Sequence, residues 1–99
     1  MIELERIVGF EWDEGNARKN EEHGVSQSEA EQVFFDSRLL VVPDARHSQA
    51  EPRLHALGAT IDGRLLHVSF TLRVKRRHIR VISARDAHRK ERQIYESQS

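Results

Sequence analysis

Along residues 66–73 apolar and polar side chains alternate strictly, with Leu66, Val68, Phe70 and Leu72 set against His67, Ser69, Thr71 and Arg73. On a strand the two sets point to opposite faces. Upstream, Arg53 and His55 stand at the same two-residue spacing, and a downstream apolar run ends in Ser83 and Arg85. If these strands pair in compatible register, one sheet face collects arginines, histidines and hydroxyls. Such a set suits phosphate, because guanidinium forks match two phosphate oxygens and imidazoles exchange protons near neutral pH. Any antiparallel sheet with one solvated face alternates in this way. Arg and His are nevertheless denser here than solubility alone requires.

The segment Ser83-Ala-Arg-Asp-Ala-His-Arg-Lys-Glu-Arg-Gln-Ile-Tyr95 extends this chemistry. Arg85, Arg89 and Arg92 can clamp phosphates and Tyr95 can stack on a base, as RNA recognition often requires; packing of Tyr95 with Ile94 against the sheet is the competing reading. Other chemistries find little support. His47, His55 and His67 are too loosely spaced for a zinc site and no cysteine is present to complete one. The sequence holds no Gly-rich phosphate loop and no Ser nucleophile elbow.

The elements that must carry these residues can be read in order. Residues 7–12 are β-branched and aromatic enough for a strand. Asp13 can cap a helix to about Glu22, with Gly24 at its left-handed end. Ser26-Gln-Ser-Glu29 is a capping box ahead of an apolar stripe of Ala30, Val33 and Phe34. A short strand over 39–42 is expected to stop at Pro43-Asp44. Strands over 53–60 and 65–73 flank the hairpin signal Asp62-Gly63, and the basic tip Lys75-Arg76-Arg77 leads to a strand over 79–84. A last helix, capped by Asp86, is expected from Ala87 to about Glu96. The order β-α-α-β-β-β-β-α predicts an α+β fold, an antiparallel sheet of four to five strands with two N-terminal helices and one C-terminal helix.

Length and charge set the frame. Ninety-nine residues with 37% apolar content suit one domain, taken as residues 1–99. No apolar stretch approaches the roughly 20 residues that span a bilayer, and no signal-peptide layout opens the chain, so a soluble protein without membrane contact is expected. The lack of cysteine makes the cytoplasm the expected address. The formal net charge of +0 conceals a split. Residues 1–52 carry five basic against twelve acidic residues, leaving −7; residues 53–99 carry eleven against four, leaving +7. Such asymmetry points to a polyanion or a charged partner, or to halves that neutralise each other across the fold.

Several segments together resemble one known family. They are Phe10-Glu-Trp-Asp13, His23-Gly24-Val25-Ser26, Phe34-Phe35-Asp36, Asp44-Ala-Arg-His47-Ser48, Asp62-Gly-Arg-Leu65 and Phe70-Thr71. Most specific is Ile79-Arg-Val-Ile-Ser-Ala-Arg85 followed by Glu91-Arg92 and Tyr95. Over residues 8–96 the chain resembles the BrnT toxins. The resemblance implies a RelE-like ribonuclease of a type II toxin–antitoxin pair, with no cofactor. It also implies neutralisation by BrnA, a ribbon-helix-helix antitoxin through which alone the complex meets operator DNA. Matching positions are Trp12, His47, Arg53, Arg85, Glu91, Arg92 and Tyr95.

Combined with the strand pattern, this assigns Arg53, His55, Arg73, Arg85 and Tyr95 to catalysis. RNA binding falls to His47, Lys75, Arg77, Arg80, Arg89 and Arg92, and antitoxin contact to Trp12 and Glu91. Metal-independent cleavage by a 2′-hydroxyl is the expected reaction. The sequence departs from the family where Glu22, not lysine, precedes His23, where Pro52 precedes Arg53, and where Ala59 replaces an arginine. Two alternatives therefore stand beside the active ribonuclease. One is a weakened or inactive homologue that binds its antitoxin and tunes the operon; the other is a non-catalytic nucleic-acid-binding module.

Overall fold

The computed structural model describes residues 4–44, 46, 52–73, 75 and 77–98. Five strands, β1 (Gly9–Glu11), β2 (Leu40–Asp44), β3 (Arg53–Ala59), β4 (Leu65–Arg73) and β5 (His78–Asp86), form one sheet in the order β1-β5-β4-β3-β2. The helices are α1 (Glu14–Glu22), α2 (Gln27–Gln32) and α3 (Arg89–Glu96). The fold is α+β, as expected, but the sheet is mixed. β2 to β5 form an antiparallel meander, whereas β1 runs parallel to β5. Tight turns can join only antiparallel neighbours, and β1 is separated from β5 by the whole meander, so no turn dictates its direction.

Local signals produce the helical layer. Gly24 sits at φ +74°, the left-handed position after α1. Ser26 Oγ accepts from Glu29 N–H at 3.1 Å, while Glu29 Oε1 accepts from Ser26 N–H at 3.0 Å. That closed capping box starts α2, which tightens into a 3-10 turn at Val33–Phe35. Val25, Ala30, Val33 and Phe34 are buried against Ala56, Leu66, Val68, Phe70, Ile79, Val81 and Ala84 of the sheet. Phe34 meets Phe70 edge-on at 4.9 Å. The layers approach most closely at Gly58, where a Cβ would stand 2.9 Å from both Val33 Cγ1 and the Val33 carbonyl oxygen. Trp12 donates its indole N–H to Glu31 at 2.7 Å, tying the end of β1 to α2.

Several boundaries differ from expectation: β1 is confined to Gly9–Glu11 within the expected 7–12, and β3 ends at Ala59. β2 continues through Pro43 and Asp44, which pair with Leu54 and Arg53. An edge strand tolerates proline because the missing N–H can face away from the ladder. β5 reaches Asp86, since pairing with β4 holds it to the Leu66↔Asp86 position. α3 consequently starts later, with His88 as its N-cap and Glu91 Oε1 accepting from His88 N–H at 2.7 Å. Asp86 does not cap it. Its carboxylate takes a two-point contact from Arg64, at 2.7 and 3.0 Å.

The second sheet face is also less open than alternation suggests. His67, Ser69 and Thr71 are buried. α3 folds back over this face, with Glu91 against Arg85 and His67 at one end and Tyr95 hydrogen-bonded to Asp36 at the other.

Candidate active site

A bulge determines which side chains share this face. Ser69 pairs with Ser83 but Phe70 pairs with Val81, so Ile82 has no opposite number. Arg80 and Arg85 are five residues apart and would face opposite ways on a regular strand. The extra residue turns the parity over, placing Arg80 across from Thr71, Ser83 across from Ser69, and Arg85 across from His67. On the other side of β4, Arg53 lies across from Thr71 and His55 across from Ser69. The registers thus bring Arg53, His55, His67, Arg80 and Arg85 to one face, with Ser69, Thr71 and Ser83 between them. Arg73 stands across from His78 where the hairpin tip begins.

A continuous polar chain crosses this surface. Asp44 Oδ2 lies 2.8 Å from His55 Nε2, and His55 Nδ1 lies 3.0 Å from His67 Nε2. His67 Nε2 is 3.7 Å from Glu91 Oε2, and Glu91 bridges both terminal nitrogens of Arg85 at 2.8 and 2.9 Å. A carboxylate can only accept, so a neutral His55 ring donates Nε2–H to Asp44 and accepts at Nδ1 from His67. Burial, and then the nearby Arg85 charge, lower the His67 imidazole to about 4, leaving it neutral at pH 7. Hydrogen bonds from Arg85 bring the Glu91 carboxyl down to about 2 against the opposing effect of burial, with help from the His88 N–H.

The remaining candidates divide. Lys75, at φ 55°, and Arg77 are exposed on the tip between β4 and β5. Arg89 and Arg92 are exposed on α3, with Arg92 3.9 Å from Glu96. Arg80 pairs with Asp13 at 3.2 Å. His47 lies outside the described residues.

Tyr95 does not join the cluster. Its hydroxyl donates to Asp36 at 2.5 Å, beside the start of β2, and the Arg38 guanidinium lies 5.1 Å from its ring centre. Trp12 and Glu91, assigned to a partner, are both turned onto their own chain.

Two residues gain roles that their local sequence does not announce. Asp44 follows Pro43 and looks like a strand stop, yet an edge-strand proline lets the strand run on and sets Asp44 across from Arg53. Arg64 follows the Asp62-Gly63 turn and joins Asp86, Glu29 at 3.0 Å and the Gly24 carbonyl at 2.8 Å. The two charge halves are partly neutralised in the fold, since Asp13 and Glu29 pair with Arg80 and Arg64. The candidate face is therefore mixed rather than uniformly basic, with Asp44 and Glu91 inside it.

Among the described residues no group of three or more His, Asp or Glu side chains is placed to hold a metal ion, and no helix is long and apolar enough to cross a membrane. A separate apolar groove of about 490 Å³ opens beside β1, lined by Ile7, Val8, Phe10, Phe34, Phe35 and Ile79. It contains none of the candidate catalytic residues.

The sequence matches the family model of the ribonuclease toxin BrnT of type II toxin–antitoxin systems over residues 12–91. The structure is similar to the crystal structure of the Brucella abortus ribonuclease toxin BrnT, with a TM-score of 0.63 and 26% identity, covering 83% of this chain and 99% of that one. None of the curated proteins matches.

Proposed function

Because the chain belongs to the BrnT family of ribonuclease toxins of type II toxin–antitoxin systems, we propose that it is a cytoplasmic, metal-independent endoribonuclease whose active site is the Arg- and His-bearing face of the sheet. The single observation that carries this reading is the bulge at Ile82, which brings Arg85 and Arg80 onto the face that already holds Arg53, His55 and His67.

In the proposed reaction the 2′-oxygen attacks the adjacent phosphorus in line. The 2′-O–P bond forms as the P–O5′ bond breaks, giving a 2′,3′-cyclic phosphate and a 5′-hydroxyl. Arg85 and Arg53 stabilise charge on the non-bridging oxygens, with Arg73 beside them. His55 accepts the 2′-hydroxyl proton at Nδ1, freed when its hydrogen bond from His67 opens, and water protonates the leaving oxygen. Lys75, Arg77, Arg80, Arg89 and Arg92 track the RNA backbone on either side. The proposed partner is a BrnA-like ribbon-helix-helix antitoxin, with operator DNA reached only through it.

The test is cleavage of a defined RNA by purified protein in the presence of a chelator, with contaminating nucleases excluded. Wild type is expected to cut, and Arg85→Ala to lose on the order of 10²-fold in rate, the scale of a removed transition-state donor. Intact RNA with wild type refutes the ribonuclease reading; full cleavage by Arg85→Ala removes Arg85 from the mechanism. A second reading is favoured by Glu22 and Ala59, which stand where the resemblance expects basic groups. On that reading the chain is a weakened homologue that binds its antitoxin without arresting growth. Expression with and without the antitoxin, scored by growth, separates the two.

A further inference from the structure

We infer that the Arg85 fork is a subsite for one RNA phosphodiester, kept closed in the free protein by Glu91, whose carboxylate the phosphate displaces. This rests on the ribonuclease reading of the same face. The contact has the geometry a phosphate would adopt, with two parallel N–H···O bonds of 2.8 and 2.9 Å from Nη1 and Nη2 to the two oxygens of one anion. Both terminal nitrogens face Glu91, so the end-on Nη1/Nη2 fork of Arg85 cannot take another anion until the carboxylate moves.

The surroundings permit that exchange. Both side chains are partly exposed, at 31% for Arg85 and 23% for Glu91, so the pair is reachable from solvent and its attraction is screened. Arg85 Nη1 also donates to the Asp86 carbonyl at 3.1 Å, which holds the guanidinium in place after its partner leaves. Glu91 keeps a second bond, from His88 N–H at 2.7 Å, so α3 retains its cap while Glu91 lets go of Arg85. Glu91 is the one acid among Arg89, Lys90 and Arg92 on the first turn of α3, and the three exposed cations favour arrival of a further anion. Across the ladder, His67 lies opposite Arg85 and is neutral at pH 7, adding no charge that would hold Glu91 in place.

A ligand that binds only the open form loses apparent affinity in proportion to the closed fraction. Removing the Glu91 charge should therefore tighten RNA binding through Arg85. The probe is a fluorescein-labelled RNA hexamer, 2′-O-methylated throughout so that no 2′-hydroxyl can attack, titrated by anisotropy at fixed salt. Four full-length proteins are compared: wild type, Glu91→Gln, Arg85→Gln and the double variant. Glu91→Gln keeps an oxygen for the His88 cap and is expected to bind about three- to ten-fold more tightly than wild type. In the Arg85→Gln background the same change should alter binding less than about two-fold, because only long-range charge remains.

Equal tightening in both backgrounds, or none in either, overturns the inference while leaving RNA binding by this face intact. Failure of every protein, wild type included, to bind the hexamer overturns the reading of the face and the inference with it. If Arg85→Gln does not fold, Glu91→Asp takes its place. It keeps the charge but shortens the arm by one methylene, so tightening reports a released fork and unchanged affinity refutes it.

Discussion

Tyr95 offers the sharpest separation between a residue that performs chemistry and one that positions an element. Its hydroxyl donates to Asp36 Oδ2 at 2.5 Å, and the same oxygen accepts from Ala59 N–H at 2.8 Å. Asp36 Oδ1 accepts from Arg38 N–H at 3.0 Å. Tyr95→Phe deletes one charge-assisted bond, a class of about 1.5–3 kcal/mol when buried. Both groups are only half-buried, and the carboxylate keeps its two backbone donors, so the expected cost falls to about 1 kcal/mol. For a domain of this size that lowers Tm by about 4–8 °C.

The pH dependence carries its own sign. Burial works to raise the Asp36 carboxyl, but hydrogen bonds from Tyr95, Ala59 and Arg38 outweigh it, and the group is lowered in the folded state. Its stabilisation is therefore present above the unfolded carboxyl value of about 4 and disappears as pH falls through the folded value. The Tm gap between wild type and Tyr95→Phe should be full at pH 7 and narrow below about pH 4. The assay is thermal unfolding from pH 3 to 8 alongside RNA cleavage at pH 7. An unchanged Tm together with abolished cleavage would refute the positioning role and return Tyr95 to the reaction.

Three further outcomes are expected. Gly58→Ala places a methyl 2.9 Å from the Val33 carbonyl oxygen and Cγ1, and should cost about 1–3 kcal/mol in chemical denaturation. Arg64→Met strips Asp86, Glu29 and the Gly24 carbonyl of a shared donor and should cost about 1–2 kcal/mol at pH 7. Because Asp86 is lowered chiefly by that arginine's hydrogen bonds, and Glu29 by the Ser26 N–H and then by Arg64, the Arg64→Met deficit should shrink as pH falls below about 4. His67 is held at about 4, below its unfolded value, so wild type should lose stability as pH falls from about 6.5 to 4, by up to about 3 kcal/mol. His67→Gln should flatten that limb of the denaturation profile, and an unaltered slope would contradict a neutral, buried His67.

What was legible in the sequence was decided within a few residues. The Ser26–Glu29 box, the left-handed Gly24, the Asp62-Gly63 turn and the period-two pattern of Leu66–Arg73 each specify a local geometry, and the structure contains all four. The resemblance to the BrnT family was legible for a similar reason, since it depends on the order and spacing of short segments. Contacts between distant segments decided the rest. β1 takes the open edge of β5 in parallel, a pairing that no connecting turn specifies. The bulge at Ile82 reverses side-chain parity and so determines which arginines share a face, yet Val81-Ile82-Ser83 reads as an uninterrupted strand. Asp44 gains its role only because β3 pairs alongside it and supplies His55, and Glu91 only because α3 folds back onto Arg85. A side chain's local pattern sets which way it can point; its partner and its charge environment depend on what the folded chain packs against it.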